Sequence, residues 1–237
     1  MRFYYKIGRV ILSFISLILF SQSLIFAQND ANLRNEIYSQ LKCCACQVSF
    51  DKCTCAEAKE MKTYIDTLLD SGLSKEEVFY KVARKFSLNT ILDAQRRAEV
   101  EKRLIKEAGE KRPQIILDST SFDFGGVNKK QGKISKIFKL SNKGSSALVI
   151  KNIKTSCPCA TVSLKVNKKK TPYFGTAGAP KNWQIAIKPG GSGELELLID
   201  LSSEYVKSGK LIREASVFSN DPVYPEVTVK VEAEVSD

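Results

Sequence analysis

The sequence has no histidine among its 237 residues, and this absence excludes several kinds of site. A Ser–His–Asp triad, a Cys–His dyad, a histidine-ligated zinc site and a self-supplied histidine ligand for haem all need an imidazole. Tryptophan and methionine are also scarce, with one and two residues. The sequence shows no paired carboxylates, no phosphate-binding glycine loop and no nucleic-acid motif, so we expect no nucleic-acid partner. The candidate chemistry must rest on cysteine.

The first 27 residues have the pattern of a secretory signal. A basic segment is followed by an apolar run from Val10 to Phe20, and Ala27 offers a cleavage position. We therefore expect a signal peptide at 1–27 and an exported protein, either periplasmic or membrane-anchored and facing the periplasm. The alternative is membrane association through an uncleaved anchor, because residues 10–27 are just long enough to span a bilayer. Cleavage removes three basic and no acidic side chains, so the net charge falls from +11 to +8.

Seven cysteines are present, and five of them lie in the stretch LKCCACQVSFDKCTC, residues 41–55. Disulfides form by default in an exported protein. The odd total means that at least one thiol is free, metal-bound or paired with another molecule. The positions are Cys43, Cys44, Cys46, Cys53, Cys55, Cys157 and Cys159.

Residues 30–90 are predicted to form a bundle of three short amphipathic helices. Thr54 and Glu57 form a capping-box pattern that predicts the start of the second helix, with Cys55 at its first helical position. Gly72 is predicted to end that helix, and Ser74 to cap the third. Residues 91–113 are rich in charge and are predicted to form a helical linker.

After Pro113 the hydrophobic period changes from 3.6 to 2, which indicates strands. Residues 114–237 are predicted to form an Ig-like antiparallel β-sandwich, with a turn at Gly125–Gly126 and another at Asn142–Gly144. The predicted fold class is therefore α+β and multidomain, with an N-terminal three-helix bundle followed by the sandwich. Cys157 and Cys159 are placed on a strand, with both side chains on one face.

The segment Leu41-Lys42-Cys43-Cys44-Ala45-Cys46-Gln47 resembles the motif Leu-Arg-Cys-x-x-Cys-Gln of the CcmH family of cytochrome c biogenesis proteins. The likeness covers residues 31–90 and includes the order of the helices. It implies that Cys43 and Cys46 are a redox pair that handles the thiols of apocytochrome c before haem attachment. The implied activity is that of a thiol–disulfide oxidoreductase or a subunit of a cytochrome c haem lyase. Lys42 replaces the family's arginine.

The second half resembles a bacterial Ig-like family of unknown function that carries a Ser-Cys-Gly-Cys-Thr motif. The matching patterns here are Phe122–Gly125, Asn142–Gly144, Ser156–Thr161, Pro189–Gly193 and Ser219–Asp221. Pro158 replaces the central glycine of the cysteine motif. This resemblance implies the fold and no particular chemistry.

Several readings of the first cysteine stretch stay open. A haem attachment site is excluded because Gln47 stands where the ligand histidine must follow, so haem enters only through a client protein. Disulfide exchange by Cys43 and Cys46 is favoured by an accessible turn and by the neighbouring Lys42. Cys44, Cys53 and Cys55 would then be secondary redox thiols, or Cys53 and Cys55 a structural staple.

A metal site is the alternative for the same stretch. Cys43, Cys46, Cys53 and Cys55 have the spacing of a thiolate site for zinc or copper, and no cofactor is firmly predicted. Cys157 and Cys159 are interpreted as structural thiols, a reducible disulfide, or a metal or redox partner. A third hypothesis is a non-catalytic Ig-like interaction module with structural disulfides. The expected partners under the first hypothesis are apocytochrome c and other haem-maturation proteins.

Overall fold

The computed structural model describes residues 31–44 and 48–237. The predicted signal peptide and Cys46 lie outside the described residues. The chain divides into two compact units, with the division between Val100 and Glu101. Within the described ranges, no helix combines the length and the apolar character needed to cross a membrane.

The first unit is helical, and its last helix runs past the division between the units. Residues 31–39 form α1, and 3₁₀ turns occupy Phe50–Lys52 and Leu88–Thr90. The other helices are α2 (Ala56–Asp70), α3 (Lys75–Lys85) and α4 (Ala94–Ala108). Helices followed by a sandwich confirm the coarse fold prediction, and α4 lies within the segment predicted to be a helical linker.

The ends of α2 and α3 follow the predicted capping pattern except at one position. Ser74 caps α3 by accepting a hydrogen bond from the amide of Glu77 at 3.3 Å. Gly72 follows α2 with φ of +79°, a conformation that glycine adopts without strain. The predicted cap of α2 at Thr54 is wrong by one residue. Cys55 has the extended backbone of an N-cap, and its sulfur accepts a hydrogen bond from the amide of Ala58.

The apolar stripes of the helices form the core of the first unit. Ile37 of α1, Met61 and Ile65 of α2 and Phe79 of α3 are fully buried. Met61 and Ile65 are four positions apart, which is the spacing of one helical face. This core fixes the positions of the helix ends between which the cysteine stretch is held.

The second unit is a sandwich of two five-stranded sheets. One sheet has the strand order β1-β3-β8-β5-β6, and the other has the order β2-β10-β9-β4-β7. The strands are β1 (Ile115–Leu117), β2 (Ser121–Asn128), β3 (Lys133–Asn142), β4 (Leu148–Thr155), β5 (Ala160–Val166), β6 (Lys169–Lys170), β7 (Ile185–Ile187), β8 (Ser192–Asp200), β9 (Gly209–Ser219) and β10 (Glu226–Ser236).

Strand pairing is antiparallel except between β2 and β10, which run parallel. The prediction of a purely antiparallel sandwich is therefore wrong at this one pair. Parallel strands need a long crossover rather than a tight turn, and here most of the sandwich sequence separates the two strands. The alternating residues of β10 face the core as predicted, and Val229, Val231, Ala233 and Val235 are buried.

The predicted turn at Gly125–Gly126 is wrong, because β2 continues through both glycines. Gly125 has φ of +67°, and the pairing of β2 with β10 shifts register beside it. An extra residue in one strand is accommodated by a glycine in this conformation, which gives a bulge rather than a chain reversal. The predicted turn at Asn142–Gly144 is confirmed, since β3 ends at Asn142.

Candidate thiol site

The segment that carries Cys43 is held by backbone hydrogen bonds on both sides. The amide of Lys42 donates to the carbonyl of Thr90 at 2.8 Å, and the amide of Cys43 donates to the carbonyl of Val48 at 2.9 Å. Cys43 is fully buried, so the expectation that an accessible turn exposes the pair is wrong at Cys43.

Cys55 lies at the N-terminus of α2 and caps it with its sulfur. The amide of Ala58 donates to Cys55 Sγ at 3.3 Å. The first N–H groups of a helix have no partner within the helix, and their end carries a partial positive charge. The sulfur of Cys55 therefore lies where an anionic group is favoured by the helix, while the residue remains half-buried.

The folding of residues 48–55 brings two more sulfurs to Cys55. Cys43 Sγ lies 3.5 Å from Cys55 Sγ, and Cys53 Sγ lies 3.4 Å from it. All three sulfurs lie within 4.8 Å of one another, and we call Cys43, Cys53 and Cys55 the three-thiol cluster. A thiolate attacks from about 3–3.5 Å, and sulfurs that share a tetrahedral zinc ion are about 3.8 Å apart. The geometry therefore suits both disulfide exchange and metal binding.

A cavity of about 410 Å³ opens beside the cluster. Cys53 lies in its wall together with the aromatic rings of Tyr38 and Phe50 and the ammonium groups of Lys59 and Lys62. The cavity gives one thiol of the cluster an approach from outside.

One wall of the cavity is fixed by a polar network between α1 and α2. The Tyr38 hydroxyl donates to Asp66, and the Arg34 guanidinium donates to the same carboxylate at 2.7 Å. Burial and the neighbouring Asp66 carboxylate raise the pKa of Tyr38 far above its ordinary value. Tyr38 therefore remains a neutral phenol that orders the wall. Its hydrogen bond crosses 28 positions of sequence, so no local pattern predicts it.

The predicted cysteines of this stretch divide into three groups. Cys43, Cys53 and Cys55 come together in the cluster, whereas Cys44 is half-buried and lies outside it. Cys46 lies outside the described residues. The sequence pattern places Cys43 and Cys46 in one motif, and it does not predict the close approach of Cys43 and Cys55.

Cys157 and Cys159 lie in the turn between β4 and β5, so the prediction that they share one face of a strand is wrong. Pro158 has no amide hydrogen to offer a strand ladder, which favours a turn at this position. The amide of Cys159 donates to Cys157 Sγ at 3.4 Å. Both residues are thiols, with Cys157 half-buried and Cys159 only 3% exposed.

Arg213 of β9 contacts this second pair, and sequence reasoning missed it. Arg213 Nε donates to Cys159 Sγ at 2.8 Å. Burial raises the pKa of the Cys159 thiol, and the hydrogen bond from Arg213 opposes that effect in part. The contact joins residues 54 positions apart, and no local signal in the sequence marks it.

One segment of the sandwich matches a known protein family. Residues 115–174 match the family described as "Protein of unknown function (DUF1573)". The match covers less than half of the chain, and it ends before β7. No curated protein sequence matches the chain.

Three solved structures resemble parts of the chain, and each has a low identity. A protein of unknown function from Porphyromonas gingivalis W83 is 22% identical, with 53% of this chain and 49% of that chain covered and a TM-score of 0.39. PapD-like domain 7 of human CEP192 is 9% identical over 54% of this chain and 89% of that one, with a TM-score of 0.36. The E. coli chaperone DraB is 11% identical over 52% and 56%, with a TM-score of 0.34. The chain thus spans about half the length of the first and third of these proteins.

Proposed function

We propose that the chain is an exported thiol–disulfide exchange protein of cytochrome c maturation. Cys43 and Cys46 are the exchanging pair, and Cys55 is a third thiol that can resolve a mixed disulfide on Cys43. The first unit would act as a CcmH-like three-helix domain. The sandwich would serve as an Ig-like docking or spacing module for apocytochrome c or another haem-maturation protein.

The observation that carries this proposal is the 3.5 Å separation between Cys43 Sγ and Cys55 Sγ. A sulfur at this distance is in position for attack on a disulfide formed by its neighbour. Cys53 Sγ lies 3.4 Å from Cys55 Sγ, and Cys53 lines the cavity. The order of the motif and of the helices, which resembles the CcmH family, supports cytochrome c as the client.

The exchange balances without a cofactor. A thiolate of the pair attacks the disulfide of the client's Cys-x-x-Cys, which forms a mixed disulfide and releases one client thiolate. A second thiolate of the protein then attacks the mixed disulfide and releases the other client thiolate. Two electrons and two protons pass to the client, and a dithiol protein partner restores the protein's thiols by the reverse exchange.

The test is a trapping experiment with a peptide that carries the Cys-x-x-Cys-His of an apocytochrome as a disulfide. Because Cys55 can resolve a mixed disulfide, Cys46→Ser alone should trap the peptide weakly. The double variant Cys46→Ser/Cys55→Ser should accumulate a stable mixed disulfide on Cys43. Non-reducing gels and peptide mapping would locate the bond.

The matched control is the double variant Cys157→Ser/Cys159→Ser, which removes thiols from the second unit alone. Added to the Cys46→Ser/Cys55→Ser variant, these two substitutions should leave the amount of mixed disulfide on Cys43 unchanged. The proposal fails if neither Cys46→Ser nor its double variant forms an adduct with the peptide. It also fails if an adduct maps to Cys157 and none maps to Cys43.

A thiolate metal site is the second candidate, and the mutual approach of three sulfurs within 4.8 Å favours it. Zinc and Cu(I) bind thiolates, and Cys43, Cys53 and Cys55 would hold such an ion together with Cys46 as the fourth ligand. Metal analysis of protein purified without added metal distinguishes the candidates. Stoichiometric zinc or copper, lost in Cys53→Ser and retained in Cys157→Ser, together with thiols that do not react with the peptide, would replace the exchange proposal.

A further inference from the structure

The Cys-Pro-Cys turn of the sandwich presents one thiol outwards and keeps the other inside. Cys157 is half-buried between the exposed residues Ser156 and Pro158, whereas Cys159 is buried. Ser156 fixes the turn to β9, because its amide donates to the carbonyl of Glu214 at 3.0 Å and its hydroxyl accepts from the Glu214 amide at 3.0 Å. The pair therefore has an accessible sulfur and a sheltered one at a fixed position.

The turn conformation also folds the Cys157 side chain towards the backbone of Cys159. The Cys159 amide donates to Cys157 Sγ at 3.4 Å, so the Cys157 side chain lies over the following residues of the turn. The hydroxyl of Thr155 accordingly faces the turn's backbone and donates to the carbonyl of Ala160 at 2.9 Å. A disulfide between Cys157 and Cys159 would close a small ring. A tight turn suits this ring, whereas the extended backbone of a strand would be strained by it.

Arg213 supplies a fixed positive charge at the inner sulfur. Its Nη1 donates to the carbonyl of Ile212 and its Nη2 to the carbonyl of Tyr205, both at 2.8 Å, which leaves Nε–H directed to Cys159 Sγ at 2.8 Å. Among residues 31–44 and 48–237, no carboxylate lies within ion-pair distance of Arg213. The guanidinium charge is therefore directed to the sulfur.

We infer that Cys157, Cys159 and Arg213 form a second redox centre, a dithiol that exchanges with disulfide-bearing partners independently of the three-thiol cluster. The Cys157 thiolate attacks the partner's disulfide, forms a mixed disulfide and releases one partner thiolate. The Cys159 thiolate, which Arg213 stabilises, then attacks Cys157 Sγ and releases the second partner thiolate. The products are a Cys157–Cys159 disulfide and two partner thiols, so two electrons and two protons move to the partner.

The same contacts argue against a metal ion at this pair. A cation bound by Cys159 would lie next to the guanidinium of Arg213, and like charges at such a distance repel. Two thiols also leave a zinc site short of ligands. Disulfide exchange uses both sulfurs and places negative charge where Arg213 donates.

The test uses the full chain and measures the oxidation state of Cys157 and Cys159 alone. Cleavage after Lys154 and Lys165 releases residues 155–165, a peptide that contains Cys157 and Cys159 and no other cysteine. The protein is incubated with glutathione at a series of disulfide-to-thiol ratios, or with an oxidised Cys-x-x-Cys peptide, and free thiols are then alkylated. Mass spectrometry of residues 155–165 gives the fraction with an internal disulfide.

We expect the peptide to pass from doubly alkylated to internally bridged along a two-electron titration. Oxidation by glutathione identifies a small-molecule partner, and oxidation by the Cys-x-x-Cys peptide alone identifies a protein partner. Cys159→Ser should accumulate a mixed disulfide on Cys157, whereas Cys157→Ser should form little adduct because Cys159 is buried. A pair that stays doubly alkylated with both oxidants overturns the inference.

Arg213→Gln tests the role of the charge. It removes a charge-assisted hydrogen bond that exists only in the reduced state, so the equilibrium should shift towards the disulfide by about ten-fold. Lys210→Gln is the matched control, since it removes one positive charge from an exposed side chain of the same strand and should leave the titration unchanged. Equal titrations for Arg213→Gln and Lys210→Gln would refute the role of Arg213. The inference is independent of the proposed function, because trapping at Cys43 does not involve residues 155–165.

Discussion

Cys55 has two separable roles, as the cap of α2 and as a thiol of the cluster, and substitution can divide them. Its sulfur accepts from the Ala58 amide at 3.3 Å, and sulfur is a weak acceptor. Cys55→Ser puts a stronger acceptor at the same N-cap, whereas Cys55→Ala leaves the amide without one. We expect Cys55→Ala to be about 1 kcal/mol less stable than Cys55→Ser, and Cys55→Ser to be at least as stable as the wild type.

Both variants remove the thiol, so in the Cys46→Ser background both should lose resolution of the mixed disulfide equally. The stability difference is measured by urea unfolding followed through helical circular dichroism, with hydrogen exchange of the first turn of α2 as a local reading. The chain's one tryptophan, Trp183, lies in the sandwich, and its fluorescence transition should not differ between the two variants. Equal stability of the Ser and Ala variants would refute the cap, and resolution of the Cys43 mixed disulfide by either variant in the Cys46→Ser background would refute the thiol's role.

Three further predictions concern the stability of the sandwich, which is measured by following its tryptophan fluorescence during unfolding. Asp221→Ala should cost about 3 kcal/mol, because the buried carboxylate accepts from the Ile115 amide at 2.8 Å and from two other amides, whereas Asp221→Asn should cost less. Gly144→Ala should cost about 2 kcal/mol or more, because an added Cβ would lie 2.2 Å from the Arg112 carbonyl oxygen. Burial raises the pKa of Glu226, so the folded state is stabilised as the pH falls through that pKa. Glu226→Gln should therefore increase stability at pH 7, and the gain should disappear below about pH 4.

Local patterns predicted the elements better than they predicted the contacts of the cysteines. The period of two in β10 and the cap at Ser74 depend on neighbouring residues only, and both are confirmed. The start of α2 was wrong because Thr54 and Cys55 can each cap a helix, and the backbone of the preceding turn decides between them. A sequence window contains no information on which strand will pass the Cys-Pro-Cys turn, so the contact of Arg213 with Cys159 could not be found in advance.

The two cysteine groups differ in the source of positive charge beside the sulfur, and this difference sets their chemistry. At Cys55 the charge is the partial one of a helix N-terminus, about half an elementary charge, and it leaves a cation able to bind the three sulfurs. At Cys159 it is the full charge of a guanidinium 2.8 Å away, which opposes a bound cation. Added Zn²⁺ should therefore protect the thiols of the cluster alone from alkylation, and Arg213→Gln should affect the Cys-Pro-Cys pair alone. Protection of both groups by Zn²⁺ to the same extent would contradict the assignment of separate chemistry.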